Sequence, residues 1–171
     1  YSAIYVSGAL AIEEVLTLVR ARAKRHEEAV PPGFSTMAAI VGLTLDQMKN
    51  LLGECSGEDE PVDLANINAP NQVVVSGHSR AVERLMERAK EIGAKLVVRL
   101  PISAPCHCRL LEDATDLFRK DLEHTYFRPF QLPVIPNCDP TVIYTQENAT
   151  ELLRRQIISP VRWQETIERM A

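Results

Sequence analysis

The chain has 171 residues, 46% of them hydrophobic and 25% charged, which is the scale of one ordinary domain with enough apolar material for a packed core. Its 19 basic and 23 acidic residues leave a net charge of −4, and a nucleic-acid binder would need the opposite balance. No apolar run approaches a membrane span, and YSAIYVSGALAIEE lacks the basic-then-apolar layout of a secretory signal, so neither nucleic acid nor membrane is expected as a partner.

The first strong element is a helix over about Ile12 to Ala29, with Ile12, Val15, Leu16, Val19 and Ala23 at the spacing of a buried face. Arg22 falls at the border of that face. Pro31 and Pro32 end the helix. From Met37 to Leu100 six short elements follow. Met37–Val41 is strand-like, and Thr44 with Gln47 makes a capping box opening a helix to about Leu52. Val62–Asn68 and Gln72–Gly77 read as strands around a turn. Ser79 is the expected N-cap of a helix closed by Gly93. Lys95–Leu100 is a last strand with Leu96, Val98 and Leu100 inward. The order strand–helix–strand–strand–helix–strand is the ferredoxin-like split βαβ pattern.

Beyond it lies the loop PISAPCHC (101–108), then a helix carrying Leu110, Leu111, Ala114, Leu117, Phe118 and Leu122. Residues 132–137 read as a short strand, about Asn148 to Ile158 as a helix, and Pro160–Met170 as another, capped by Ser159. Tyr1 opens the chain without methionine and Ala171 falls inside a predicted helix, which suggests a piece of a longer protein. The four scattered cysteines fit a reducing compartment rather than a disulfide framework.

His107 stands between a strand end and a helix start, where α/β folds carry their working groups. A general base there needs a nucleophile within reach and an orienting acceptor on its other nitrogen. Cys106 and Cys108 are too close to His107 in sequence for the usual structural zinc spacing. Gly77–His78–Ser79 imitates a nucleophile elbow, but position 81 is Ala where the second glycine belongs, and capping explains Ser79. By periodicity alone Arg22 snorkels, Asn66 and Asn68 are turn residues, and Gln156 is a helix-face amide.

ANINAPNQVVVSG (65–77), PISAPCHC (101–108) and QIISPVRW (156–163), with YSA (1–3), GAL (8–10) and EAVP (28–31), resemble the malonyl-CoA:acyl carrier protein transacylases in order along the whole chain. The resemblance implies an α/β-hydrolase-like acyltransferase body, here residues 1–36 and 101–171, with a ferredoxin-like subdomain, residues 37–100, inserted. It implies ping-pong transfer of malonyl from coenzyme A, through a seryl ester, to the phosphopantetheine thiol of acyl carrier protein for fatty-acid synthesis. His107 then matches the general base and Gln156 the residue whose main-chain carbonyl orients it. Arg22 matches the partner of the malonyl carboxylate, and Asn68, less closely Asn66, a polar residue lining the site. The nucleophilic serine of the family's GHSxGE motif is expected upstream of Tyr1. No metal or other cofactor is implied, and a cytoplasmic monomer is expected. Three alternatives stay open: an acyltransferase domain of a polyketide synthase, a non-catalytic ferredoxin-like binding module, and a hydrolase using Ser79.

Overall fold

The computed structural model describes residues 1–102 and 104–171. In chain order its elements are α1 (Ser2–Val6), α2 (Ile12–Ala29), β1 (Ser35–Val41), α3 (Leu45–Cys55), β2 (Val62–Ala69), β3 (Gln72–His78), α4 (Ser79–Glu91), β4 (Leu96–Arg99), a 3-10 turn (Arg109–Leu111), α5 (Glu112–Glu123), α6 (Ala149–Gln156) and α7 (Trp163–Met170). The four strands form one sheet in the order β2-β3-β1-β4, every neighbouring pair antiparallel. That is the ferredoxin-like arrangement expected from the element order.

Local chemistry sets the ends of these elements. Thr44 Oγ1 accepts from Gln47 N–H (3.3 Å) while Gln47 Oε1 accepts from Thr44 N–H (2.9 Å), so two orphan donors of α3 are satisfied reciprocally. At the end of α4, Gly93 takes φ +94°; its N–H reaches the Lys90 carbonyl, and Ala94 N–H reaches that of Ala89. A side chain at 93 would strain this Schellman turn.

Two large apolar clusters result. One joins Ala38, Ile40, Val73 and Val75 of the sheet to Met48 and Leu51 of α3 and Val82 and Leu85 of α4. The other unites Ile4, Val15 and Leu18 with Leu111, Phe118 and Leu122 and with Leu152, Leu153 and Ile157. A small third cluster, Met37, Ala65 and Val74 with Cys106 against it, lies on the sheet face away from α3 and α4.

The structure corrects several sequence expectations. In α2 the buried residues are Val15, Leu18 and His26, while Leu16 is 60% and Val19 41% exposed and Ile12 is exposed too. The helix carries two stripes, and the inward one includes His26, which lies against Cys106, and Arg22, both of which hydrophobic counting passes over. In β4 the parity is reversed: Val97 packs with the α3–α4 cluster, whereas Leu96 and Val98 are exposed. Pairing of Ile40 with Val97 fixes this, since a one-residue shift turns every side chain over. Leu117 of α5 is exposed as well. The N-cap of α4 is His78, whose Nδ1 accepts from Arg80 N–H (3.3 Å); the Ser79 hydroxyl instead donates to the Gly33 carbonyl (2.9 Å). Residues 132–137 are irregular rather than a strand, because Pro133 and Pro136 have no N–H for a ladder. The last helix starts at Trp163, not Pro160, because Val161 is drawn out alongside β2: its N–H donates to Ala65 O and its carbonyl accepts from Ile67 N–H, both at 2.8 Å.

Candidate active site

α6 ends at Gln156; the N–H groups of Ile157, Ile158 and Ser159 turn back to the Arg154 and Arg155 carbonyls, and Pro160 has no N–H to offer that of Gln156. His107 supplies one. Its Nδ1 lies 2.8 Å from the Gln156 carbonyl oxygen and 3.0 Å from that of Ser159. Carbonyl oxygens only accept, so Nδ1 carries the proton and Nε2 keeps its lone pair. This is the tautomer a general base requires. Burial lowers the pKa of the ring and the charge of Arg22 lowers it further, against the opposing pull of the two carbonyls. The imidazole is therefore neutral at pH 7 and available to take a proton.

His107 adopts φ +59°, the left-handed region that a non-glycine residue enters at a cost. Tethers on either side hold it there. Upstream, Cys106 N–H donates to the hydroxyl of the fully buried Ser76 on β3 (3.3 Å). Downstream, Asp63 of β2 accepts from Arg109 N–H (2.9 Å) and from both Nε and Nη2 of its guanidinium, the closest contact being 2.8 Å. The orienting segment is tied down as well. Gln156 Nε2 donates to Asn137 Oδ1 (2.6 Å), Arg162 N–H to the Asn137 carbonyl (2.8 Å), and Val161 bridges to β2.

Arg22 reaches the same region from α2. Its charge acts on His107, His26, Cys106 and the Tyr1 phenol, and its Nε is buried with no hydrogen-bond partner among the described residues. A buried guanidinium N–H without an acceptor is costly. The structure thus joins His107 to Gln156 by a 2.8 Å hydrogen bond, with Arg22 within electrostatic reach of the ring. It places Asn66 and Asn68 on β2 less directly. Asn66 pairs with Val74, whose side chain is in the small cluster with Cys106, whereas the ladder skips Asn68 in passing from the Ile67–Val73 pair to Ala69–Gln72.

Two residues near the site escaped sequence reasoning. His26 is 4% exposed, with Nδ1 3.9 Å from Cys106 Sγ and Nε2 buried without a partner among the described residues. Burial, and then the charges of Arg22 and His107, hold its pKa down to about 4. The Tyr1 hydroxyl is likewise buried and unpartnered, and burial raises its pKa to about 12. The available signal was the helical spacing of His26 four residues after Arg22.

No protein-family model matches the chain. It is 36% identical over 170 residues to the malonyl CoA-acyl carrier protein transacylase of Bacillus subtilis, covering 99% of this chain and 54% of that protein. Among solved structures, the malonyl CoA-acyl carrier protein transacylase of Coxiella burnetii superposes with a TM-score of 0.94 at 38% identity, over 98% of this chain and 53% of that one. A malonyl-transacylase solved in complex with its type II polyketide-synthase acyl-carrier protein gives a TM-score of 0.94 at 37% identity, over 98% and 54%. The chain spans about half the length of the curated relatives it matches. In sequence and in fold, its whole length corresponds to about half of a malonyl CoA-acyl carrier protein transacylase, and that is the family to which it is related.

Proposed function

We propose that this chain supplies the general base and the acyl-recognising arginine for transfer of malonyl from coenzyme A to the phosphopantetheine thiol of an acyl carrier protein. The observation that carries the reading is the pair of carbonyls on His107 Nδ1, which leaves Nε2 as the base. In this reading the nucleophile is a serine from outside the 171 residues. His107 Nε2 takes the serine proton as the oxygen attacks the thioester carbonyl. The resulting imidazolium gives that proton to the departing coenzyme A thiolate, leaving a seryl malonate ester. In the second half the carrier's thiol gives its proton to Nε2, attacks the ester and releases the serine, which takes the proton back. The sequence balances without a metal or redox cofactor.

Arg22 would hold the free carboxylate of malonyl through its planar fork. An acetyl group leaves that guanidinium unpaired, so the site selects malonyl. We take residues 37–100 as a ferredoxin-like subdomain inserted into an acyltransferase body formed by 1–36 and 101–171. Likeness to the transacylase solved with a polyketide carrier supports a second destination, a polyketide-synthase carrier, for the same chemistry.

The test is mass spectrometry of the intact protein after mixing with malonyl-CoA. The expected result is one added malonyl group, transferred onward to added carrier, with His107→Ala abolishing both steps. Arg22→Ala is expected to lose malonyl transfer far more than acetyl transfer. Full acylation and transfer in His107→Ala would refute the base assignment, and equal losses for the two acyl groups would refute the carboxylate role. Fatty-acid and polyketide carriers offered side by side distinguish the two destinations.

A further inference from the structure

β3 follows three valines, Val73 to Val75, with a serine. Ser76 is fully buried. By strand alternation its side chain shares a sheet face with Val74, on the side of the small cluster against which Cys106 packs. A hydroxyl is buried at a cost unless it is hydrogen-bonded, so its partners show what it does there.

Both partners flank His107. The Ser76 hydroxyl accepts from Cys106 N–H (3.3 Å). It also hydrogen-bonds the thiol of the fully buried Cys108, whose pKa burial pushes up to about 11 against the pull of that bond. Between these two residues stands His107 at φ +59°. A non-glycine residue keeps such a conformation only where its surroundings over-determine it. One side chain gripping the residues before and after it does so. The ladder adds to the grip, because Asp63, directly opposite Ser76 on β2, holds Arg109. The backbone at 107 sets the direction of the ring, and with it whether Nδ1 meets the Gln156 and Ser159 carbonyls.

We propose that Ser76 is a positioning residue for the base, its hydroxyl holding the turn at His107 so that Nδ1 meets the two carbonyls and Nε2 faces the reacting proton. It acts through His107 rather than on substrate. This rests on the reading of His107 given above, and the test separates the two. In the intact protein, kcat and KM for malonyl-CoA are measured in Ser76→Ala, Ser76→Thr, Ser76→Cys and His107→Ala, with Tm alongside. Ser76→Ala is expected to lower kcat about 10- to 100-fold with KM within about twofold, the cost of misplacing a reacting group by about 1 Å. Ser76→Thr keeps the hydroxyl and is expected to recover most of kcat. Proton NMR supplies the second readout: the Nδ1-bound proton of His107 is expected to shift or broaden in Ser76→Ala. A merely structural serine would lower Tm and leave that resonance where it is. An unchanged kcat or an unmoved resonance in Ser76→Ala overturns the proposal. If His107→Ala is inactive while Ser76→Ala keeps the parental kcat, only the Ser76 proposal falls. If His107→Ala keeps full activity, the base reading itself falls. Should Ser76→Ala fail to fold, Ser76→Cys decides: it fills the same space with a weaker hydrogen-bonding group, and a parental kcat there overturns the proposal.

Discussion

Gly77 and Gly53 offer a paired stability test with opposite signs. At Gly77 on β3 a Cβ would lie 2.2 Å from the Pro61 carbonyl oxygen and 2.6 Å from Val62 Cα, both main-chain atoms that cannot rotate away. That same carbonyl accepts from His78 N–H at 2.8 Å. Gly77→Ala must therefore part β2 from β3. Overpacking of this kind costs about 1–3 kcal/mol, and loss of the hydrogen bond about 1 kcal/mol more. The restricted unfolded chain returns about 0.4–1 kcal/mol. The net destabilisation is about 1–3.6 kcal/mol, equivalent to a fall in Tm of about 2–14 °C for a chain of this size. Gly53 lies on the exposed side of α3, and a Cβ there meets nothing within 4 Å. Gly53→Ala is expected to stabilise by about 0.4–1 kcal/mol. Thermal unfolding by circular dichroism, with urea midpoints alongside, measures both. A Gly77→Ala variant within about 0.5 kcal/mol of the parent, the range of an inconsequential surface change, would refute the close-approach argument.

Two further outcomes are expected. His26 titrates at about 4 in the folded chain against 6.5 when free, so the unfolded state binds the proton more readily. Its contribution to stability is complete above pH 6.5 and is lost as pH falls towards 4, a decline on the order of 3 kcal/mol. Urea unfolding across that window should show a shallower slope in His26→Phe, and identical slopes would contradict the burial of the ring. Asp63→Ala removes the acceptor of Arg109 and costs only about 1 kcal/mol of stability, because the pair is half in solvent. It should nevertheless slow malonyl transfer about tenfold in steady-state assays, since small misplacement of a reacting group is expensive.

The sheet was legible because its punctuation is local. Thr44 with Gln47, the turn after Asn68 and the glycine at 93 each announce an element end from a few neighbouring residues, and the six elements admit a familiar strand order. What failed did so for tertiary reasons. The stripe of α2 that packs inward contains an arginine and a histidine, while the more apolar stripe through Leu16 and Val19 faces outward. The parity of β4 depends on its register with β1, which no single strand encodes. Of the site, His107, Gln156 and Arg22 were visible only because their surroundings resemble a family pattern; periodicity alone made them bland. His26 was passed over because its one signal, the spacing of four from Arg22, says nothing of burial until the inward stripe of α2 is known.

β2 serves as a common datum for the His107 ring and its carbonyl partners. Through Asp63 it fixes the segment that follows His107, and through Ala65 and Ile67 it fixes the segment that carries the orienting carbonyls. A breathing motion of the sheet against α2 would move the imidazole and its carbonyls as one piece. The separation between Nε2 and the guanidinium of Arg22 would change, but the tautomer would not.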